Sequence, residues 1–168
     1  MADLTIALAG NPNAGKTTIF NALTGLHQHT GNWPGKTVEK KEGEFEQAGL
    51  TINIVDLPGT YSLTAYSPEE IIARDFIIQE HPDAVINVVD ATNLERNLYL
   101  TLQIMELDVP VVVALNMTDD LTKAGAKIDT GLLSDLLGGV PIVSTAANQG
   151  KGISELISRA VRAAGRHS

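Results

Sequence analysis

The sequence contains no cysteine, which excludes disulfide bonds and thiolate metal sites. It has no apolar run near the roughly 20 residues of a membrane-spanning helix, and its N-terminus lacks a signal-peptide apolar segment. The basic residues do not cluster, and the net charge of −8 argues against a general nucleic-acid-binding surface. We therefore expect a soluble, cytoplasmic domain that does not bind nucleic acid.

The 168 residues suit one domain with a sizeable core. Apolar runs at 4–9, 50–55, 84–90, 110–116 and 140–143 predict strands, and helical patterns appear at 18–25, from Pro68 onward, at 94–107 and at 153–164. The polar stretch 37–48 predicts an edge strand, and 26–35 and 56–67 predict loops. This order predicts an α/β fold: a doubly wound, mostly parallel sheet with one antiparallel edge strand, flanked by helices.

A glycine-rich segment between the first predicted strand and helix fits the pattern G-x-x-x-x-G-K-[ST]. Its backbone N–H groups and the helix N-terminus can surround phosphate oxygens. Lys16 is predicted to reach the β- and γ-phosphates, and the Thr17 hydroxyl to bind Mg²⁺. The predicted nucleotide-binding residues here are Gly10, Asn11, Asn13, Ala14, Gly15, Lys16, Thr17 and Thr18.

The third predicted strand is followed by Asp56-Leu57-Pro58-Gly59. A carboxylate at the end of a strand beside a phosphate loop can hold Mg²⁺ through water. The Gly59 N–H is then placed to meet a γ-phosphate. Alone this motif is also typical of a turn. Together with the glycine-rich loop at Gly10, it indicates Mg²⁺ and phosphate binding.

Two later strands end in residues that can recognise a guanine base. The Asp119 carboxylate can accept two hydrogen bonds from the edge of guanine, where adenine presents the wrong pattern. Asn116 can brace neighbouring loops or reach the base, and both residues also suit a strand end and helix cap. The predicted base-binding residues are Asn116, Met117 and Asp119, followed by Ser144, Thr145 and Ala146.

The loop from Gly31 to Thr37 is rich in glycine and proline. Thr37 can give Mg²⁺ a second hydroxyl when a γ-phosphate is present, as in a nucleotide-ordered switch, and Gly35 is predicted to contact the nucleotide. Trp33 is the single tryptophan of the chain. It is equally consistent with a loop anchor that packs on the core.

Taken together, these motifs resemble the G domain of the ferrous iron transport protein B (FeoB) family, a P-loop GTPase fold. The most specific feature is the run Asn32-Trp33-Pro34-Gly35-Lys36-Thr37-Val38-Glu39, and the resemblance covers nearly the whole chain. Residue 36 is usually small or apolar in that family. The resemblance implies a single GTP-binding domain over residues 1–168, with GTP or GDP as ligand and Mg²⁺ and K⁺ as cofactors.

The resemblance also implies a cation-assisted reaction. In the family, the asparagine matching Asn11 and the carbonyls matching Gly31 and Trp33 bind K⁺. Thr60 and Tyr61 follow Gly59, so no glutamine stands there to orient water, and a cation can stabilise the transition-state charge instead. Slow, K⁺-stimulated hydrolysis is expected, with Asn11, Lys16, Thr37 and Gly59 as the catalytic residues.

Family members continue into helical and membrane domains. The resemblance therefore predicts that the chain is excised from a transporter, at the cytoplasmic face of the inner membrane, rather than a standalone relative. Two other functions stay open: a nucleotide-sensing module that uses hydrolysis only as a reset, and a ribosome-assembly GTPase, against which the net charge argues. Fe²⁺ binding by His27 and His29, or by Glu69 and Glu70, is less consistent with the sequence than loop and helix-terminus roles.

Overall fold

The computed structural model describes residues 2–165, which form a seven-stranded sheet in the order β2-β3-β4-β1-β5-β6-β7. Its strands are β1 (Leu4–Gly10), β2 (Gln28–Asn32), β3 (Glu39–Gln47), β4 (Leu50–Asp56), β5 (Ala84–Asp90), β6 (Val111–Asn116) and β7 (Ile142–Ser144). Within these residues, β3 pairs antiparallel with β2 and β4, and the remaining pairs are parallel. The predicted mostly parallel α/β sheet is confirmed.

The connecting helices are α1 (Lys16–Thr24), α2 (Pro68–Glu80), α3 (Leu94–Met105), α4 (Thr118–Lys123), α5 (Thr130–Leu136) and α6 (Ile153–Gly165). Helix α2 begins as the sequence predicts: the Ser67 hydroxyl accepts a hydrogen bond from the Glu70 N–H at 3.1 Å. Pro68 occupies the first turn, and Glu69 and Glu70 complement the positive end of the helix dipole. Helix α6 buries an apolar face that includes Leu156, Ile157 and Ala160.

The core lies on both faces of the sheet because side chains alternate along each strand. On one face, Ile6 and Leu8 of β1 share a buried cluster with residues of α1 and α6. On the other face, Ala7 and Ala9 share a cluster with residues of α2 and α3. Covering the sheet on both faces leaves the strand ends free to carry a site, as in other doubly wound sheets.

The prediction of a loop over 26–35 is wrong, because this segment contains β2. Strand β3 remains the one strand that runs opposite to the others, and β2 forms the edge of the sheet beyond it. Most β2 side chains are exposed, so the strand carries no apolar alternation and is joined to the sheet through its backbone pairing with β3. Among residues 2–165, no helix is long and apolar enough to cross a membrane.

Candidate functional site

The carboxyl ends of the parallel strands carry a cleft of about 470 Å³. It is lined by Asn11, Pro12, Asn13, Gly15, Lys16, Thr17, Gly59 and Met117. Six of these residues belong to the loop after β1 and to the first turn of α1, one follows β4, and one follows β6. The fold therefore brings together residues that the sequence predicts for phosphate, Mg²⁺ and base binding, although they are far apart in the sequence.

Two glycines make the close approach of these loops possible. Gly15 has a φ of 96°, and a Cβ atom there would lie 2.1 Å from Asn116 Nδ2. A Cβ atom on Gly59 would lie 3.3 Å from the Cα of Pro12. Because α1 begins directly after Gly15, its N-terminal N–H groups and dipole favour an anion at the loop.

Lys16 and Asp56 form a side-chain ion pair beside the cleft, with exposed fractions of 11% and 9%. Burial raises the pKa of the Asp56 carboxyl, and the Lys16 ammonium group opposes that rise. The two groups thus neutralise one another in the described structure. A nucleotide phosphate could replace Asp56 as the partner of Lys16, and Mg²⁺ could replace Lys16 as the partner of Asp56.

Asn11 is 3% exposed, and neither its side-chain oxygen nor its nitrogen has a hydrogen-bond partner among residues 2–165. Buried amide groups are nearly always hydrogen-bonded, so an unpartnered one requires an explanation. An amide that lines a cleft without partners suits the contact with a ligand or a cation.

The loops after β6 and β7 are joined by Asn116. Its Nδ2 donates to the Ala14 carbonyl at 3.0 Å, and its Oδ1 accepts from the Thr145 hydroxyl at 2.9 Å and the Ala147 N–H at 3.1 Å. Asn116 therefore braces the phosphate loop against both loops, which is one of the two roles that the sequence left open. Ser144 is exposed, whereas Thr145 and Ala146 are buried.

Asp119 lies in the first turn of α4, after Met117 in the left-handed region. One carboxylate oxygen, Oδ1, is buried without a hydrogen-bond partner among the described residues. The other, Oδ2, accepts from Gln149 Nε2 at 3.0 Å. The carboxylate therefore retains capacity to accept hydrogen bonds from a base.

No residue of the segment 31–37 is among those that line the cleft. Gly31 pairs with Lys40 within the sheet, and Thr37 is exposed, as is Gly35. Trp33 packs edge-to-face on Phe76 of α2, with ring centroids 5.7 Å apart, so it serves here as a loop anchor.

The Trp33 carbonyl is engaged within the segment itself, because it accepts from the Lys36 N–H at 2.9 Å. The roles of Thr37 at Mg²⁺ and of Gly31 and Trp33 at K⁺ stay predictions. Each of them requires this segment to rearrange towards Asn11 and Thr17.

The segment after Gly59 makes contacts that the sequence motifs did not predict. The Thr60 N–H donates to the Gly10 carbonyl at 3.1 Å. Glu70 accepts hydrogen bonds from the hydroxyls of Ser62 and Thr64, which lower its pKa to about 2. The sequence indicated only the helix-terminal charge of Glu70, since these partners follow no fixed spacing. Within residues 2–165, no group of three or more His, Cys, Asp or Glu residues could hold a metal ion.

A phosphate loop that leads from β1 into α1, followed by Asp56 and Gly59 and by the base-site loops of β6 and β7, defines a P-loop GTPase domain. More narrowly, the chain belongs to the ferrous iron transport protein B family, whose sequence profile matches residues 4–160. The fold and the sequence therefore agree on the family that the motifs indicated.

Several relatives support this assignment. The Fe(2+) transporter FeoB of Salmonella typhimurium is 53% identical over 160 residues, covering 93% of this chain and 21% of the relative. The Fe(2+) transport protein A/Fe(2+) transporter FeoB fusion protein of Porphyromonas gingivalis is 54% identical over 154 residues, which cover 91% of this chain and 18% of that protein. The chain thus spans about a fifth of the length of these relatives.

Two solved structures are similar along nearly the whole chain. The FeoB G-domain of Methanococcus jannaschii is 51% identical with a TM-score of 0.86, covering 98% of this chain and 99% of that one. A mutant of S. thermophilus NFeoB bound to mGDP is 50% identical with a TM-score of 0.90, covering 95% of this chain and 60% of that one.

Proposed function

We propose that this chain binds GTP, hydrolyses it slowly with K⁺ stimulation, and thereby regulates ferrous iron uptake by a membrane transporter. In this proposal it is the GTP-binding domain of that transporter, at the cytoplasmic face, with the helical and membrane domains as partners. The observation that carries the proposal is the cleft itself, which combines Lys16, Thr17 and Gly59 with the base-site residue Met117. Relatives whose structures contain GDP or mGDP support guanine nucleotides as the ligand.

The charged and hydroxyl residues of the cleft fit Mg²⁺ and a nucleotide. Thr17 and Asp56 would hold the metal, and Thr37 would join them once its segment rearranges. Lys16 then exchanges Asp56 for phosphate oxygens. The Gly59 N–H would donate to the γ-phosphate, and the loop that carries Gly59 would thereby respond to the presence of that phosphate.

The unpartnered amide of Asn11 fits a monovalent cation beside the phosphates. Gly31 and Trp33 would contribute carbonyl oxygens from the rearranged segment. Such a cation supplies positive charge near the β- and γ-phosphates, where charge develops in the transition state. Lys16 is the cationic side chain that lines the cleft. An additional cation there would add to the stabilisation of the negative charge of the transition state.

Calorimetric titration with GTP, ATP and XTP in the presence of Mg²⁺, followed by measurement of phosphate release, tests the proposed function. GTP is expected to bind at least about 100-fold more tightly than ATP, because adenine would leave the Asp119 carboxylate unpaired. Comparable affinities for GTP and ATP would contradict guanine recognition. The absence of phosphate release would contradict the enzymatic part.

A second candidate function is a nucleotide-sensing module in which turnover only resets the state. The packing of Trp33 on Phe76 favours it, because the segment carrying Thr37 is anchored away from the cleft. Single-turnover hydrolysis separates the two functions: a rate that is insensitive to cation identity favours sensing, whereas stimulation by K⁺ favours the cation-assisted enzyme.

A further inference from the structure

The carboxylate of Asp119 has unequal surroundings at its two oxygens. Oδ1 is buried and has no hydrogen-bond partner among residues 2–165. Oδ2 accepts from Gln149 Nε2 at 3.0 Å, which spans 30 positions of the chain. The free oxygen faces no competing protein donor in the described structure, whereas the second oxygen is held by an amide.

Gln149 is itself fixed to the loop that follows β7. It ends a short 3-10 helix over Ala147–Gln149, and its N–H donates to the Ala146 carbonyl at 2.9 Å. Ala146 is further paired with Lys151 through a β-bridge. The Gln149 side chain therefore reaches Asp119 from a constrained backbone and connects the two base-site loops.

The other polar side chains at this junction are directed to different partners. The Thr118 hydroxyl donates to the Thr145 carbonyl at 2.8 Å, and the Thr145 hydroxyl donates to Asn116 Oδ1. Among the described residues, Gln149 is the side chain that holds the Asp119 carboxylate. Rotation about the last bond of an aspartate side chain is otherwise broad, so this one contact restricts it.

We propose that Gln149 is a positioning residue for guanine recognition. It orients the Asp119 carboxylate so that the acceptor positions that Gln149 does not occupy face the base. The inference rests on the proposed function, in which Asp119 accepts from guanine N1–H and the 2-amino group. A carboxylate has about four acceptor positions. The hydrogen bond from Gln149 leaves about three of these acceptor positions unoccupied. They are enough to accept from guanine N1–H and from the 2-amino group while Gln149 stays bound.

Replacing the amide by a side chain of similar length without a donor tests this role. In Gln149→Met, the affinity for GDP is expected to fall about three- to tenfold, the range for one lost hydrogen bond. The affinity for IDP, which lacks the 2-amino group, is expected to fall less, because only one base contact depends on the carboxylate. The GDP/IDP ratio of affinities therefore decreases. General damage to the loop would instead weaken both nucleotides equally.

The matched control is Asn148→Ala, which changes the exposed neighbour of Gln149 and is expected to leave both affinities unchanged. An unchanged GDP/IDP ratio in Gln149→Met would overturn the positioning role. Tighter GDP binding would also overturn it, since the amide would then compete with the base for Asp119.

Failure of the underlying function is recognisable separately. If the unmodified chain does not prefer GDP over IDP and ADP, base recognition itself is contradicted and the proposal falls with it. If that preference is present and Asp119→Asn removes it, but Gln149→Met leaves it intact, only the role of Gln149 is contradicted.

Discussion

At the scale of single residues, the Lys16–Asp56 ion pair would connect the proposed nucleotide binding to the proposed metal binding. Both side chains are largely buried, so separating them without new partners is costly. A nucleotide phosphate offers Lys16 a replacement, and Mg²⁺ offers one to Asp56. Under the proposed function, the pair would therefore couple the two binding events, because both partners exchange together.

Asp56→Asn is expected to reduce the Mg²⁺-dependent gain in GTP affinity by at least about tenfold, as expected for loss of a charged ligand interaction. It is also expected to raise Mg²⁺-free GDP affinity, because Lys16 is released towards the phosphates. Titrations with and without Mg²⁺ measure both effects. The exposed carboxylate of Asp120 provides the control Asp120→Asn, and an unchanged Mg²⁺ dependence in Asp56→Asn would remove Asp56 from the metal site.

The same residue predicts a pH dependence. Burial raises the pKa of Asp56, so protons compete with Mg²⁺ at a higher pH than for an ordinary aspartate. As the pH falls, the Mg²⁺-dependent gain in affinity is expected to shrink in the unmodified chain and to stay flat in Asp56→Asn. The same slope in both proteins would assign the effect to another group.

We also predict that base selectivity depends on the carboxylate of Asp119. Asp119→Asn is expected to weaken GTP binding by at least about tenfold and to improve XTP binding, because xanthine offers a carbonyl where guanine has its amino group. Competition titrations with both nucleotides measure the change. A variant that still prefers GTP would show that Asp119 does not recognise the base.

At the scale of elements, the segment 31–37 is expected to change its packing with the nucleotide. Trp33 now contacts Phe76 and lies under Lys40 Nζ, 4.8 Å from the ring centroid. Placing Thr37 at Mg²⁺ requires this segment to move, so Trp33 emission is expected to differ between the GDP state and a non-hydrolysable GTP analogue. Because Trp33 is the only tryptophan of the chain, no other tryptophan contributes to the measured emission. Equal emission and equal protease sensitivity in both states would argue against a switch.

The elements differ in how well the sequence predicts them. Strands β5 and β6 are buried apolar runs and were predicted directly. Strand β2 was missed because its polar side chains point to solvent and its pairing partner lies in another segment. The phosphate loop was predicted from one local motif. The ion pair of Lys16 with Asp56 and the contact of Gln149 with Asp119 could not be predicted from the sequence, because each depends on the tertiary fold.

At the scale of the whole molecule, ligand binding should stabilise the fold by mass action. GDP at 100 times its dissociation constant is expected to raise the free energy of unfolding by about 2.7 kcal/mol. Thermal unfolding with and without GDP measures the gain. Lys16→Ala is expected to need a higher GDP concentration for the same shift. Identical shifts for both proteins at each concentration would contradict phosphate binding by Lys16.

The most direct test of the whole account is the single-turnover rate of GTP hydrolysis in K⁺ and in Na⁺, for the unmodified chain and for Asn11→Ala. One well-placed electrostatic contact contributes about 2.7–4 kcal/mol, or about 10²–10³ in rate. We predict faster hydrolysis in K⁺ than in Na⁺, and no difference between the two cations in Asn11→Ala, with GDP affinity nearly intact. K⁺ stimulation that persists in Asn11→Ala, or equal rates in both cations for the unmodified chain, would contradict the account.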